Sequence, residues 1–185
     1  TDTDAFTIDK FISGTVNVDV ASHAGVTVSG KAATSSATVN VNKAAATVAL
    51  DTGSTYTVNM KAGVETLTSL NIAGTTTLNT TGKLAVATLD ESATTDKLIV
   101  VGSGDLTFGG TAANVTELDA SAATGKFIYT EGTAAATSIT GSATAANTIT
   151  TKGTTHTQTV VAGAADDTLT HSAAITSGKV SMTAD

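Results

Sequence analysis

The sequence predicts an all-β fold, a parallel β-solenoid in which short strands on turns of unequal length stack along one axis. Three observations predict it. Apolar, mostly β-branched residues alternate with polar ones, these alternating runs return about every ten residues, and related segments recur at intervals of roughly 20 to 30 residues. A period of two places one face of each strand inside the protein. One turn of a solenoid cannot bury that face alone, so stacking on the next turn completes the core, and we expect about seven to nine turns.

The expected strands follow the alternating runs in chain order. They lie around Val16–Val20, Val26–Val28, Val39–Val41, Val48–Leu50 and Tyr56–Met60, and then around Leu70, Leu84, Leu98, Leu106, Phe127, Ile139, Ile149, Val160, Leu169 and Ile175. Gly, Ser, Asn, Asp and Thr between the runs favour turns. The alanine runs Ala44–Ala46 and Ala134–Ala136 have no period of 3.6, so we expect strand or turn there and little or no helix.

Internal repeats support the solenoid. A shift of the sequence that moves Val86 onto Val115 aligns a whole segment with itself and places Asp90 on Asp119. We expect these two aspartates, at equivalent positions of the repeat, to be ladder or turn residues. A second, shorter shift places Val64–Leu67 on Val86–Leu89. Strands at this spacing also permit an antiparallel β-sandwich, which is the alternative fold.

Composition and charge narrow the class of protein. Residues 1–185 are expected to form a single repetitive β domain, a fragment of a longer chain, because the sequence starts at Thr1 with no signal peptide. No Cys is present, which excludes a disulfide scaffold and a thiolate metal site. A net charge of −7 without Arg argues against nucleic acid, and no apolar run reaches about 18 residues, so no membrane insertion is expected. Aromatic residues are only 3%, which is unlike a ligand pocket, and we expect no enzymatic activity.

A family resemblance adds a function to this fold. Residues 117–127, which read ELDASAATGKF, resemble a segment that recurs in bacterial surface-layer (S-layer) proteins of the RTX-exported, Gram-negative type, and Thr88–Ala93 and Val64–Ile72 resemble looser phrases of that family. The resemblance implies a secreted structural protein that self-assembles into a two-dimensional lattice on the cell surface, commonly with Ca²⁺. Attachment to cell-surface polysaccharide or lipopolysaccharide would use parts outside this chain. The alternative is an extracellular adhesin or passenger segment that binds host or glycan ligands.

The resemblance also implies a calcium site. Residues 137–178 look like a degenerate RTX portion, and Ala162–Thr170 is similar to the calcium-binding RTX nonapeptide, with two of its three glycines replaced by Ala. On this resemblance the candidate Ca²⁺ ligands are Gly163, Asp166 and Asp167, because carboxylate and carbonyl oxygens are what Ca²⁺ prefers. The alternative is a turn in which Asp167 caps backbone N–H groups.

Two further motifs resemble sites of catalysis or nucleotide binding. Gly25–Lys31 has the spacing of a phosphate-binding loop, but Ala32 follows where Ser or Thr would contact Mg²⁺, and the segment alternates like a strand. Asp51–Ser54 resembles the aspartic-protease loop, which requires a second carboxylate from a second lobe or subunit. The alternative at this place is a β-turn with Gly53 at positive φ.

The three histidines do not form a ligand pair in the sequence. His23, His156 and His171 lie far apart, and a zinc site would require them to converge. We expect His171 on the face opposite the core.

Overall fold

The computed structural model describes residues 4–19, 25–43, 47–91, 97–113, 115–132, 137–153, 157–163 and 166–183. These residues form 18 strands and no helix, so this part of the chain has no helix that could cross a lipid bilayer. The runs Ala44–Ala46 and Ala134–Ala136, together with His23 and His156, lie outside the described residues. The strands are β1 (Ala5–Phe11), β2 (Ser13–Val18), β3 (Gly25–Gly30), β4 (Ser36–Val41), β5 (Thr47–Asp51), β6 (Thr55–Met60), β7 (Thr66–Ile72), β8 (Thr75–Thr80), β9 (Leu84–Glu91), β10 (Lys97–Gly102), β11 (Leu106–Ala113), β12 (Glu117–Ala123), β13 (Phe127–Glu131), β14 (Ser138–Thr140), β15 (Asn147–Thr151), β16 (Thr157–Val161), β17 (Thr168–His171) and β18 (Lys179–Thr183).

The strands form two sheets whose pairings are all parallel. Odd-numbered strands make sheet A in the order β1 to β17, and even-numbered strands make sheet B in the order β2 to β18. Each turn of the chain therefore adds one strand to each sheet and stacks on the turn before it. The described residues thus make nine such turns, which confirms the predicted parallel solenoid, and the antiparallel sandwich is wrong.

The spatial repeat differs from the strongest sequence repeat. Residues that pair on adjacent turns are closer in sequence than Val86 and Val115, as the pairs Ser36 with Thr55 and Ser13 with Ser36 show. The shift that moves Val86 onto Val115 spans one turn plus about half of the next, and it carries a residue from one sheet to the other. Asp90 and Asp119 are both ladder residues, as predicted, but Asp90 lies in β9 of sheet A and Asp119 in β12 of sheet B, so the sequence repeat does not correspond to a repeat in space.

Several boundaries also differ from the prediction. β1 and β18 were not expected, and Ile175 lies outside any strand, although the alternating run around it favoured one. The shorter sequence shift is displaced as well, because Leu70, not Leu67, pairs with Leu89. Some strands reach eight residues, and register shifts interrupt the pairing of β11 with both of its neighbours.

The core lies between the two sheets and is built from columns of apolar side chains, one residue from each turn. In sheet B every residue of one column is at most 6% exposed; the column consists of Val16, Val39, Val58, Leu78 and Val100. In the middle of sheet A two neighbouring columns carry aromatic residues. Phe108 pairs with Tyr129, and its ring lies edge-on to both Phe127 and Tyr129, with ring centroids 6.2 and 6.3 Å away. Each buried ring or branched side chain thus packs on its equivalent in the next turn.

Glycine allows successive corners to stack closely. Gly82, Gly104 and Gly125 lie at the corners before β9, β11 and β13, respectively, and stack on one another from turn to turn. A Cβ added to Gly104 would lie 2.1 Å from the carbonyl oxygen of Gly82, and one added to Gly125 would lie 2.2 Å from that of Gly104. No side chain fits at such distances, so this column of the corner requires glycine.

Candidate functional site

The corner before β17 contains the best-supported candidate for metal binding, Asp167. Its Oδ1 accepts hydrogen bonds from the backbone N–H of Asn147 at 2.7 Å and from the Asn147 side-chain amide at 2.8 Å. Its Oδ2 is buried and has no hydrogen-bond partner in the described part of the chain. The carboxylate therefore caps the backbone of the preceding turn with one oxygen, and its other oxygen has no hydrogen-bond partner among the described residues.

Asn147 connects this corner to the turn beneath it, and its role was not predicted. It is 1% exposed and occupies a position of β15 that pairs with the buried Phe127. Its side-chain oxygen accepts the N–H of Ser142 at 2.7 Å, and its amide donates to the carbonyls of Ser142 and Ala145. A polar residue at an apolar column position was the only signal of this network in the sequence.

The other two predicted ligands differ from Asp167 in their surroundings. Asp166 is exposed at the same corner, where a carboxylate can reach a hydrated cation. Gly163 stacks on the previous corner, and a Cβ there would lie 2.2 Å from the Ser142 carbonyl oxygen. This close approach alone accounts for its being glycine. In the described residues no group of three or more Asp, Glu, His or Cys side chains lies close enough to hold a metal ion.

A second polar cluster lies inside the solenoid around Glu131. The residue is completely buried, and its Oε2 accepts the backbone N–H groups of Lys152 at 2.6 Å and Gly153 at 3.0 Å. Its Oε1 accepts the side-chain amide of Gln158 at 2.7 Å. The carboxylate thus links sheet A to the next corner and to sheet B.

His171 belongs to the same internal column, so the prediction that it faces away from the core is wrong. It pairs with Thr151, which is fully buried, and the His171 Nδ1 lies 2.8 Å from the Thr151 hydroxyl. The physical reason is the strand period: His171 is two residues after Leu169, and residues i and i+2 share a face.

The segment that resembles an aspartic-protease loop is a tight corner after β5. Asp51 is exposed, and its carboxylate accepts the hydroxyl of the adjacent Thr52 at 3.2 Å. Thr52, not Gly53, has positive φ, at 46°, which corrects the predicted turn. Gly53 is required instead because the Tyr56 ring lies 2.4 to 2.6 Å from where its Cβ would be. Burial, together with the nearby Asp51 charge, raises the pKa of Tyr56, whose hydroxyl donates to the Asp51 carbonyl.

The segment with phosphate-loop spacing forms β3 from Gly25 to Gly30, as its alternation predicted. Val26 and Val28 are buried in the core, and β3 pairs with β1 on one side and with β5 on the other. Because the backbone of this segment is paired within sheet A, it does not form a loop around a ligand.

One ion-pair cluster lies on the outer face of sheet B. The Lys97 ammonium contacts Glu117 at 2.5 Å and Asp119 at 3.8 Å, and the hydrogen bond to Glu117 raises the pKa of Lys97. Burial alone would raise the pKa of Asp119, but the hydroxyl and N–H of Ser121, with Lys97, outweigh it and lower that pKa. Charges here are paired across adjacent turns, which offsets part of the like-charge repulsion that stacking of an acidic chain creates.

Comparison with protein-family models, with curated proteins and with solved structures finds no match to this chain.

Proposed function

We propose that this chain is a structural segment of a bacterial surface-layer lattice that assembles with itself on the cell exterior. The observation that carries the proposal is the construction of the body, in which two nine-stranded parallel sheets extend without a change of partner from the first turn to the last. A stack of this kind offers long, repetitive faces for contact with neighbouring copies. The resemblance of residues 117–127 to surface-layer proteins supports the same role.

The test of the lattice is electron microscopy. The purified chain is expected to form ordered two-dimensional sheets when Ca²⁺ is added and to lose them when a chelator removes it. A protein that stays monomeric with Ca²⁺ and binds cells or immobilised glycans would be an adhesin segment, and the lattice proposal would then be wrong.

We further propose that Asp167, with Asp166, binds Ca²⁺ in this segment. The support is the buried Oδ2 of Asp167, which lacks a hydrogen-bond partner among the described residues. A carboxylate oxygen is the kind of hard ligand that Ca²⁺ binds. Carbonyl groups and water would complete the six to eight oxygens that Ca²⁺ requires. When bound, the ion offsets the repulsion between the two adjacent carboxylates.

Calcium is expected to raise the melting temperature, and Asp167→Asn is expected to abolish that rise. Binding to the folded state alone adds about 2.7 kcal/mol at a hundredfold excess over Kd. In a domain of this size that corresponds to roughly 5 to 10 °C. The amide of Asn can still accept the Asn147 N–H, so the metal-free stability should change little.

The matched control is Asp105→Asn. Asp105 precedes β11 as Asp167 precedes β17, and its Oδ1 accepts the backbone N–H of Lys126 at 2.9 Å. This variant should keep the full calcium effect. Calorimetry of the unmodified chain that shows no heat with millimolar Ca²⁺, together with a melting temperature that a chelator leaves unchanged, would contradict the site.

A further inference from the structure

The outer face of sheet B carries a repeating pair of residues on four consecutive strands. The triplets are Thr-Val-Asn at 15–17, 38–40 and 57–59, and Thr-Leu-Asn at 77–79, in β2, β4, β6 and β8. The middle residue of each triplet is buried, so the Thr and the Asn on either side of it point outward. We call these eight outward side chains the threonine–asparagine array.

The array is in register in two directions. Thr15, Thr38, Thr57 and Thr77 pair in succession, as do the four asparagines, and no register shift interrupts these three strand pairings. Neighbouring strands lie about 4.7 to 4.9 Å apart, and residues i and i+2 of one strand lie about 6.6 Å apart. The hydroxyl and amide groups therefore form a two-dimensional grid with two fixed repeats.

Hydrogen bonds between the asparagines hold one side of the grid in place. Asn40 donates to Asn17 at 2.8 Å, Asn59 donates to Asn40 at 2.8 Å, and Asn79 donates to Asn59 at 3.3 Å. Such side-chain ladders favour a flat sheet over a strongly twisted one. The amide groups are thus ordered before any partner binds, which reduces the entropy lost on binding.

The array is also free of charge. None of its side chains is ionisable, although the chain as a whole carries 9 Lys and 16 Asp plus Glu. Charged residues border the array. Asp19 follows β2 and accepts a hydrogen bond from the side chain of Asn42 at 2.6 Å, and Lys97, the partner of Glu117, lies on β10, the strand after β8 in sheet B. A shallow depression runs beside the threonine column, lined by Thr15, Thr38 and Thr57 together with Ser36 and Thr55. It offers a row of hydroxyls to water molecules between the columns.

We propose that the threonine–asparagine array binds ice. Its two repeats are close to the lattice repeats along the a and c axes of hexagonal ice, so many of its side chains can contact one face of an ice crystal at the same time. Threonine provides a hydroxyl that fixes a water molecule and a methyl group that limits its orientations, so water on the array can take the positions of the crystal. The absence of charge matters because an ammonium or carboxylate would hold water in a different arrangement.

The test is the partition of the full chain, labelled at its amino terminus with a fluorophore, into a slowly growing hemisphere of ice. The unmodified chain is expected to enter the ice and to inhibit recrystallisation of a polycrystalline ice film. Thr57→Lys, in the middle of the array, is expected to lose both effects because a long hydrated side chain rises above the grid. Thr150→Lys is the matched control, since Thr150 lies half-buried between the inward-facing Ile149 and Thr151 and so faces outward on sheet A.

Circular dichroism and melting temperature show whether each variant folds, and Thr38→Tyr, which disturbs the grid without adding charge, provides a second test. Ice binding by the unmodified chain that both array variants lose and Thr150→Lys keeps would support the proposal. Exclusion of the unmodified chain from ice would overturn it, as would binding that survives both array variants. Exclusion from ice combined with loss of two-dimensional sheets in Thr57→Lys would assign this face to contact between copies, and would also overturn it.

Discussion

Glu131→Ala is expected to lower the free energy of unfolding by about 3 to 5 kcal/mol, as measured by urea denaturation. The carboxylate is fully buried and accepts hydrogen bonds from Lys152, Gly153 and Gln158. Alanine would leave two backbone N–H groups and one side-chain amide without their acceptor in a place that water does not reach. Each such group costs about 1 to 3 kcal/mol, and partial rearrangement lowers the total.

Two variants separate this effect from the loss of any acidic residue. Glu131→Gln keeps the shape and one acceptor oxygen, and it should be clearly less destabilising than Glu131→Ala. Glu65→Ala removes an exposed carboxylate and should change the unfolding free energy little. If Glu131→Ala and Glu65→Ala have similar effects, the internal hydrogen bonds of Glu131 do not stabilise the fold.

Phe108→Ala is expected to destabilise the protein by about 3 to 5 kcal/mol, because it leaves a cavity where three rings meet. Phe108 is 2% exposed, and its ring lies edge-on to Phe127 and Tyr129 of the next turn. Edge-to-face contact of rings adds about 0.5 to 1.5 kcal/mol to their burial. The aromatic residues of the chain are few, so the rest of the core cannot easily fill the space.

The chain offers a matched control on the same sheet. Phe6 in β1 is 51% exposed, and Phe6→Ala should have a small effect on the urea midpoint. Phe108→Leu refills most of the volume and should lie between the two. An equal loss of stability in Phe6→Ala and Phe108→Ala would contradict the view that the column of sheet A is the centre of the core.

The fold class could be predicted because its cause is local. Apolar residues that alternate with polar ones, such as Val39 and Val41 on either side of Asn40, place one face of a strand inward in any sheet. The stacking of turns follows from the repeats. The assignment of strands to the two sheets could not be predicted, because both sheets have the same alternation. The best superposition of the sequence on itself therefore aligned Asp90 with Asp119 although they lie in different sheets.

The corner at Asp167 could be predicted only in part. The nonapeptide similarity pointed to Asp167 as a residue of interest, but its partner Asn147 lies 20 positions earlier, and only the stacking of turns brings the two together. The same is true of Glu131 and Gln158, which are 27 positions apart. A buried polar residue in such a fold is satisfied by a neighbour in another turn, which a pattern within one strand does not reveal.

The exclusive pairing of each strand with the turn before and the turn after it has a consequence for how such a chain can change its length. Duplication or deletion of one whole turn, such as the stretch that separates Ser36 from its partner Thr55, adds or removes a layer and leaves all other layers with neighbours of the same kind. An insertion of a single residue within a strand instead moves every later side chain of that strand to the opposite face. A protein of this architecture can therefore evolve by gaining or losing whole turns. Smaller insertions can accumulate at the corners, because residues added there need no partner in the strand pairing.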